Sequence, residues 1–486
     1  SQGVAQEKHL VRVFLKDGGE LPHIALPVYA YLDNSLITEA SEEELARTGL
    51  PYEVLDREPW SLPYWLVSGL PGEPVELEKG VVLFVDDAVA LVKVTDGKAR
   101  ELGERGYELT KLHRIPLPRR REPTLLPEEP LVDPFIQTLV AQVSDSTLTF
   151  YIQSLENFRT RYSYTDSCWA AGQWLYDQFS SLGLEVQFDY YTYNSETWRN
   201  VVATLPGSVD STRIFIICGH FDSMSEDPWF NAPGADDNAS GTSLVLEAAR
   251  ILSQYSFDYT ARFICFSGEE QGLIGSYHYA AMAESLGMDI RGVLNFDMVA
   301  YCDDPLFDFA VLSDENSRLL LNLLISSAET YTALDPYDPH RNSGGSDHFW
   351  FQQHGYQATF AIELGRTHGN HYYHTSGDLL STLTIPFERE MAKAGIACLA
   401  SLVADYPVPP RGVRVVDAGT GDALNVAWMP NSEPDLAGYF VYYGTSSGQY
   451  GSPVWTGLDT AWVLTGLNQG VRYYVALTAQ DTQGHE

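Results

Sequence analysis

Four short, continuously apolar runs constrain the fold of this chain more than any other feature. They read RIFIIC, RFICF, GVLNF and ATFAI, at residues 213–218, 262–266, 292–296 and 358–362, and helical stretches separate them. Runs that are buried on both faces and alternate with helices are typical of a parallel sheet between helix layers. The sequence therefore predicts an α/β domain with a mostly parallel or mixed central sheet.

An acidic or histidine motif follows each of these runs. GHFD follows the first, SGEE follows the second, Asp297 follows the third, and Glu363 follows the fourth, with His374 a little beyond. The carboxyl ends of parallel strands form the rim of the sheet where ligands bind. We therefore expect residues that are far apart in sequence to form one site.

Together with the GADDN motif, these segments supply five carboxylates and two imidazoles: His220, Asp222, Asp237, Glu269, Glu270, Asp297 and His374. Several carboxylates a few ångströms apart do not all ionise near neutral pH without a counter-charge, so the site requires cations. Oxygen and imidazole ligands without a thiolate suit zinc, with manganese or cobalt as substitutes. A shared aspartate can bridge two such ions.

In combination, the motifs GHFDS, PGADDNASG, SGEEQGLIGS, NFDM, SDHFWF and YHTSGD resemble those of the bacterial di-zinc aminopeptidases, part of the wider clan of zinc exopeptidases. The resemblance covers residues 145–405 and implies the fold of that clan and two Zn²⁺ per chain. It also implies that Asp237 bridges the two ions, that His220 and Asp297 bind one of them, and that Glu270 and His374 bind the other.

The resemblance further implies roles for residues beside the ligands. Glu269 is expected to be the general base, which takes a proton from the attacking water and delivers it to the leaving amine. Asp222 is expected to accept the other ring N–H of His220, and Ser346 to play a similar part for His374. Tyr373 corresponds to a tyrosine that stabilises the oxyanion in some relatives.

The pocket for the first side chain of a substrate is expected to be lined by aromatic residues such as Phe349 and Trp350. Burial of both in the core of a helix is the competing interpretation.

The flanking segments predict further domains. Residues 1–118 contain a weak internal repeat and predict an α+β domain with two similar halves, and the Pro- and Arg-rich residues 119–134 predict a linker. The peptidase-like domain is assigned to 135–406. Residues 407–486 resemble a fibronectin type III sandwich, with Trp428 in an early strand and Tyr473 as a tyrosine corner, and we expect its last strand to be missing.

A formal net charge of -35 excludes a basic face for nucleic acid, and no apolar run is long enough to span a membrane. We expect peptide substrates, an extracellular or periplasmic location, and contact of the fibronectin-like domain with a cell surface or polymer. Five cysteines without a paired spacing leave one disulfide among Cys168, Cys302 and Cys398 open.

The leading hypothesis is an aminopeptidase. A carboxypeptidase or dipeptidase of the same clan is the enzymatic alternative, because the metal ligands are shared and loops select the end of the peptide. A non-catalytic receptor or adhesion protein on this fold is the alternative from another class. The sequence retains all five ligands and the base, which favours an enzyme.

Overall fold

The computed structural model of the 486-residue chain divides into two compact units, residues 1–403 and 404–486. It describes residues 7–15, 26–32, 34–68, 82–86, 89–103, 105, 107–117, 133–303, 307–340, 342, 344–364, 370–404, 410, 412–431, 436–446 and 449–482. Residues 119–132 of the predicted linker lie outside these ranges.

The N-terminal region contains two sheets with the same topology. The first half comprises β1 (His9–Phe14), β2 (Val28–Leu32), β3 (Ser35–Ala40), α1 (Glu42–Thr48) and β4 (Tyr52–Asp56), and its strand order is β2-β3-β1-β4. The second half comprises β5 (Tyr64–Ser68), β6 (Val82–Asp86), β7 (Val89–Lys93), α2 (Asp96–Gly103) and β8 (Glu108–Leu112), and its order is β6-β7-β5-β8. Each half thus runs strand, strand, strand, helix, strand.

Three helices lead into the central sheet, and a side chain caps each N-terminus. They are α3 (Pro134–Val140), α4 (Asp145–Glu156) and α5 (Asp166–Ser181), with the caps Asp133, Ser144 and Thr165. Such caps satisfy backbone N–H groups that have no partner within the helix. Ala171, Leu175 and Phe179 recur at helical spacing, and all three are buried on one side of α5.

The four apolar runs form neighbouring strands of an eight-stranded mixed sheet, which confirms the predicted fold class. The strands are β9 (Glu185–Tyr193), β10 (Glu196–Leu205), β11 (Asp210–His220), β12 (Tyr259–Phe266), β13 (Asp289–Phe296), β14 (Asp308–Leu312), β15 (Asp335–Tyr337) and β16 (Ala358–Glu363). Their order is β15-β14-β16-β13-β11-β12-β10-β9. β11 pairs in parallel with β12 and β13, and β13 pairs in parallel with β16.

Helices cover both faces of this sheet. They are α6 (Gly241–Leu252), α7 (Ile274–Ser285), α8 (Arg318–Tyr331), α9 (His348–Gln353) and α10 (Ile385–Val403). Helices α7 and α9 share a core with Ile216 of β11. Gly395 of α10 lies against the neighbouring residue Ile217, whose side chain points to the other face. The domain therefore has the predicted helix–sheet–helix layers.

The second unit contains two three-stranded antiparallel sheets. Its strands are β17 (Arg414–Asp417), β18 (Ala423–Ala427), β19 (Leu436–Gly444), β20 (Val454–Trp455), β21 (Ala461–Thr465) and β22 (Tyr474–Asp481), in the orders β17-β18-β21 and β20-β19-β22. The hydroxyl of Tyr473 accepts a hydrogen bond of 3.1 Å from the backbone N–H of Asn468, which confirms the tyrosine corner. Trp428 follows β18 directly rather than lying in it, and it packs on Tyr439.

The five cysteines are all free, so the disulfide left open above does not form. In the part of the chain that the structure describes, no helix combines the length and the apolar character that a membrane crossing needs.

Candidate metal centre and active site

The carboxylate of Asp237 lies between two histidines. Its Oδ1 is 3.2 Å from His220 Nε2, and its Oδ2 is 3.2 Å from His374 Nε2. All three side chains are buried, with exposures of 8% or less. One carboxylate thus presents a separate oxygen to each of two imidazoles.

A second carboxylate stands beside each histidine. Asp297 Oδ1 is 3.3 Å from His220 Nε2, and Glu270 Oε2 is 3.0 Å from His374 Nε2. The structure therefore brings together all five predicted ligands, in two groups that share Asp237. The division is the one that the resemblance implies.

The spacing of these atoms fits metal coordination. Ligand atoms at about 2.0–2.1 Å from a tetrahedral zinc ion lie about 3.3 Å from one another. The four distances above, 3.0–3.3 Å, match this value. Glu270 Oε1 is buried and has no hydrogen-bond partner among the described residues, so it is available to a cation.

The sheet positions these groups at one rim. His220 ends β11, and Phe266, its Cα partner in the parallel register, ends β12 just before the SGEE turn. Asp297 follows the last residue of β13. Strand register alone therefore places His220, the two glutamates and Asp297 next to one another.

Asp237 reaches the site on a tight turn that several buried groups hold. The carboxylate of Asp378 accepts hydrogen bonds from the backbone N–H groups of Asp236 (2.9 Å) and Asp237 (3.0 Å). Asp236 in turn accepts from Ala300 N at 3.0 Å and from Asn370 Nδ2 at 2.7 Å. The turn that carries Asp237 is thus fixed from two sides.

Arg161 connects this turn to the end of β11. Its guanidinium is fully buried and donates to the carbonyl oxygens of Phe221 (2.7 Å) and Gly234 (2.8 Å), and also to those of Leu155 and Pro233. Phe221 follows His220, and Gly234 lies three residues before Asp237. One side chain therefore ties together the two segments that carry these ligands.

Asp222 supports both His220 and the SGEE turn. His220 Nδ1 is 3.2 Å from the Asp222 carbonyl oxygen and 3.6 Å from its Oδ1. The same carboxylate accepts the backbone N–H groups of Glu269 and Glu270, each at 3.3 Å. Asp222 therefore orients one histidine and both glutamates at once.

The prediction for Ser346 was wrong about its partner. Its hydroxyl donates to Asp297 Oδ2 at 2.6 Å and accepts from Asn295 Nδ2 at 2.7 Å, so it orients Asp297. The partner of His374 is Gly103, whose carbonyl oxygen is 2.9 Å from His374 Nδ1. The SDH motif and His374 are close in sequence, but the motif leads into α9 on the Asp297 side.

The prediction that Phe349 and Trp350 line a substrate pocket was also wrong. Both are at most 2% exposed, and they belong to the hydrophobic core that α7 and α9 share. A small cavity of about 30 Å³ beside Glu270 is lined by other residues: Trp65, Asp96, Arg100, Leu109, Tyr162, Tyr164, Tyr193, Asn194, Met224 and Gln271. An apolar sequence on a short helix cannot distinguish a core from a pocket wall.

Tyr373 is partly buried, and its ring stacks on that of His374 with 3.8 Å between centroids. Its role as an oxyanion donor stays a prediction.

The pKa shifts report a site with excess negative charge. Burial lowers the pKa of His220, but Asp297, Glu269 and the other carboxylates outweigh it and raise the pKa well above its usual value. His374 behaves in the same way, with Glu270 and Asp237 as the causes. Burial raises the pKa of Glu270 to about 7. In the absence of cations, protons thus compensate the carboxylates.

Sequence reasoning did not assign Asp236, Asp378, Arg161 or Gly103 to the site. The signal for Asp378 was present, since it ends the YHTSGD motif, and Asp236 is the first aspartate of GADDN. Glu363 ends β16 as expected, and its Oε2 accepts the backbone N–H of Tyr301 at 2.8 Å. Arg161 and Gly103 lie in no recognisable motif.

Comparisons with known proteins agree with this geometry. Residues 200–398 match Peptidase family M28, and residues 408–486 match the fibronectin type III domain. A "Probable leucine aminopeptidase" of Trichophyton verrucosum is 28% identical over 282 residues, which are 55% of this chain and 75% of the relative. A "Probable zinc metalloprotease" of Pyrenophora teres f. teres is 27% identical over 384 residues, 66% of this chain and 78% of the relative.

Among solved structures, the LapA aminopeptidase of Legionella pneumophila is similar in fold. Its TM-score is 0.58 at 18% identity, and the match covers 71% of this chain and 99% of LapA. The chain therefore carries a hydrolase domain of peptidase family M28, followed by a fibronectin type III domain.

Proposed function

We propose that this protein is a metal-dependent aminopeptidase, which hydrolyses the peptide bond after the N-terminal residue of a peptide. The observation that carries the proposal is the position of Asp237, with one oxygen 3.2 Å from each of two histidines and a further carboxylate beside each. The name of the relative in Trichophyton verrucosum supports cleavage at the amino end.

Two zinc ions are part of this proposal. His220 and Asp297 would hold one, Glu270 and His374 the other, and Asp237 would bind both. When bound, zinc supplies Lewis-acid chemistry, which lowers the pKa of a water and polarises a carbonyl oxygen. The two positive ions would also replace the protons on the histidines and so neutralise the buried carboxylates.

Glu269 would act as the general base. Its Oε2 is 3.9 Å from His220 Nε2, which is longer than the 3.0–3.3 Å of the ligand pairs. The carboxylate would take a proton from the attacking water while the oxygen–carbon bond forms. It would then give that proton to the amide nitrogen as the carbon–nitrogen bond breaks, so that a neutral amine leaves.

A pair of isosteric variants tests these roles. In Glu269→Gln we expect kcat to fall about 10²–10⁴-fold with zinc content unchanged, because only proton transfer is lost. In Glu270→Gln we expect zinc to be lost, because the amide is a weaker ligand. Loss of zinc in the first variant, or its full activity, would contradict the assignment of the base.

Substrates with one blocked end test which end of a peptide is recognised. An aminopeptidase hydrolyses leucine p-nitroanilide and leaves N-acetyl-leucine p-nitroanilide intact. Cleavage of N-blocked dipeptides that have a free carboxylate would favour the carboxypeptidase alternative. If the zinc-loaded protein hydrolyses none of these substrates, the result would favour the non-catalytic receptor or adhesion protein.

Tyr373 would stabilise the oxyanion, as its contact with the His374 ring supports. We expect Tyr373→Phe to lower kcat about 10²–10³-fold at unchanged zinc content, the usual cost of one oxyanion donor. An unchanged kcat would show that Tyr373 only packs against its neighbours and does not stabilise the oxyanion.

A further inference from the structure

The second half of the N-terminal region lies directly on the candidate active site. We call its described residues, 64–68, 82–86, 89–103 and 107–113, the cap. Its closest contact with the site is the carbonyl oxygen of Gly103 at the end of α2, which is 2.9 Å from Nδ1 of His374. A carbonyl can only accept, so His374 donates Nδ1–H to the cap and leaves Nε2 facing Asp237 and Glu270.

The cap also covers the turn that carries both glutamates. The Trp65 ring packs so closely on Gly272 that a Cβ at this glycine would lie 2.7 Å from it. Next to it, the ring of His113 stacks on that of Tyr277 in α7, with 3.7 Å between centroids. The outer side of residues 269–272 is therefore occupied by the cap.

A third contact fixes the far side of the cap. The Thr110 hydroxyl donates a buried hydrogen bond to the carbonyl oxygen of Gly344, two residues before Ser346. The cap therefore touches segments beside Glu270, beside His374 and beside the Ser346–Asp297 pair.

These contacts leave too little space for a substrate. The cavity beside Glu270, which Trp65, Asp96, Arg100 and Leu109 of the cap help to line, has a volume of about 30 Å³. That is room for about two water molecules, whereas pockets that bind small molecules measure roughly 300–1,000 Å³. Among the described residues, the cavity beside Glu270 is therefore too small for a peptide while the cap is seated.

We propose that the cap is an autoinhibitory lid, and that a peptide reaches Glu269 and Glu270 only after the cap has moved away from Gly272 and Gly344. The inference rests on the proposed peptidase function. It differs from a fixed pocket wall, which would remain in place during turnover.

A reversible disulfide in the full-length protein tests the proposal. A Cβ built on Gly344 would lie 3.8 Å from Thr110 Oγ1 and 3.6 Å from the Phe349 ring, so the cysteines of the pair Thr110→Cys and Gly344→Cys would have adjacent side chains. After oxidation we expect hydrolysis of leucine p-nitroanilide to fall at least tenfold, and to recover on reduction. The two single variants are the controls, and oxidation should leave their rates unchanged.

The rate at which 1,10-phenanthroline removes zinc gives a second readout, which does not depend on hydrolysis. We expect the oxidised double variant to lose zinc at least tenfold more slowly than the reduced one. If the protein hydrolyses no peptide but shows this difference, the proposed function fails, while the result still shows that the cap controls access to the metal site. If mass spectrometry shows complete disulfide formation and neither rate changes, the lid is refuted.

A variant that weakens the contact between the cap and Gly344 provides the opposite test. Thr110→Val removes the hydrogen bond to Gly344 and keeps the side-chain shape, so we expect kcat/KM to rise about two- to tenfold. Thr38→Val is the matched control, because the buried Thr38 hydroxyl donates to the Pro27 carbonyl within the first half of the N-terminal region. A fall in kcat/KM for Thr110→Val would show that the seated cap is required for activity.

Discussion

The backbone N–H of Asp237 donates a hydrogen bond of 3.0 Å to the buried carboxylate of Asp378, 141 residues further along the chain. The same carboxylate accepts the N–H of Asp236, so it holds the turn that presents the Asp237 oxygens to His220 and His374. A carboxylate that offers one oxygen to each of two histidines must be held in a single orientation. Asp378 provides that constraint from outside the ligand set.

We therefore expect Asp378→Ala to weaken zinc binding about 10–100-fold, the usual cost of removing a group that orients a ligand. Asp378→Asn keeps one acceptor oxygen and should cost less. Competition with a chelator of known affinity measures both variants. Equal affinities for Asp378→Ala and the wild type would contradict this role.

Arg161 should be important for both stability and the metal site. Its four carbonyl acceptors are buried, and each unsatisfied one costs about 1–3 kcal/mol, so Arg161→Met should unfold at a markedly lower temperature. Thermal unfolding of the zinc-free protein measures this loss. Arg159→Lys, two residues away and exposed, is the control and should shift stability by less than about 0.5 kcal/mol.

Because Ser346 binds Asp297 rather than His374, removing its hydroxyl should weaken only one of the two zinc positions. Ser346→Ala removes the hydrogen bond to Asp297 Oδ2, so zinc should become weaker at the His220–Asp297 position and unchanged at the Glu270–His374 position. Stepwise zinc titration distinguishes the two. Ser401→Ala, which removes a buried hydroxyl in α10, is the control. Weakening of both positions together would contradict the assignment.

The stability of the zinc-free protein should fall as the pH rises. The raised pKa values of His220 and His374 mean that the folded state binds more protons than the unfolded one. Their contribution is complete below about pH 6.5, the unfolded value, and is lost as the pH rises through the folded values. Calorimetry from pH 6 to 9 should show a falling Tm without zinc and a smaller fall with zinc.

The same shifts predict that zinc binding releases protons, so zinc affinity should increase with pH. Glu270, with a pKa of about 7, adds to this in the range around neutrality. Calorimetric titration in buffers of different ionisation enthalpy counts the protons. Binding without proton release would contradict the charge state described above.

Some parts of this structure could be predicted from sequence because one physical pattern determines them. Apolar runs that end in charged motifs identify β11, β12 and β13 and the rim they share, since parallel strands must end on the same side. The pairing of His220 with Asp297 follows from that register. The helical spacing of apolar residues in α5 can likewise be seen within one short stretch of sequence.

Other features depend on tertiary contacts that no local pattern encodes. The Gly103 carbonyl reaches His374 across 271 residues, and a backbone group has no sequence signature. The sequence alone does not show whether Ser346 lies beside Asp297 or beside His374, because this depends on how α9 packs. Trp350 has the composition of a pocket wall, yet packing on Tyr277 buries it.

We propose that Asp237 joins two zinc positions, and diffraction from zinc-loaded crystals at the zinc absorption edge tests this proposal most directly. We expect two anomalous peaks about 3.5–4 Å apart. One should lie beside His220 and Asp297, the other beside Glu270 and His374, each next to a different oxygen of Asp237. A single peak at saturating zinc, or two peaks that do not share Asp237, would contradict the account.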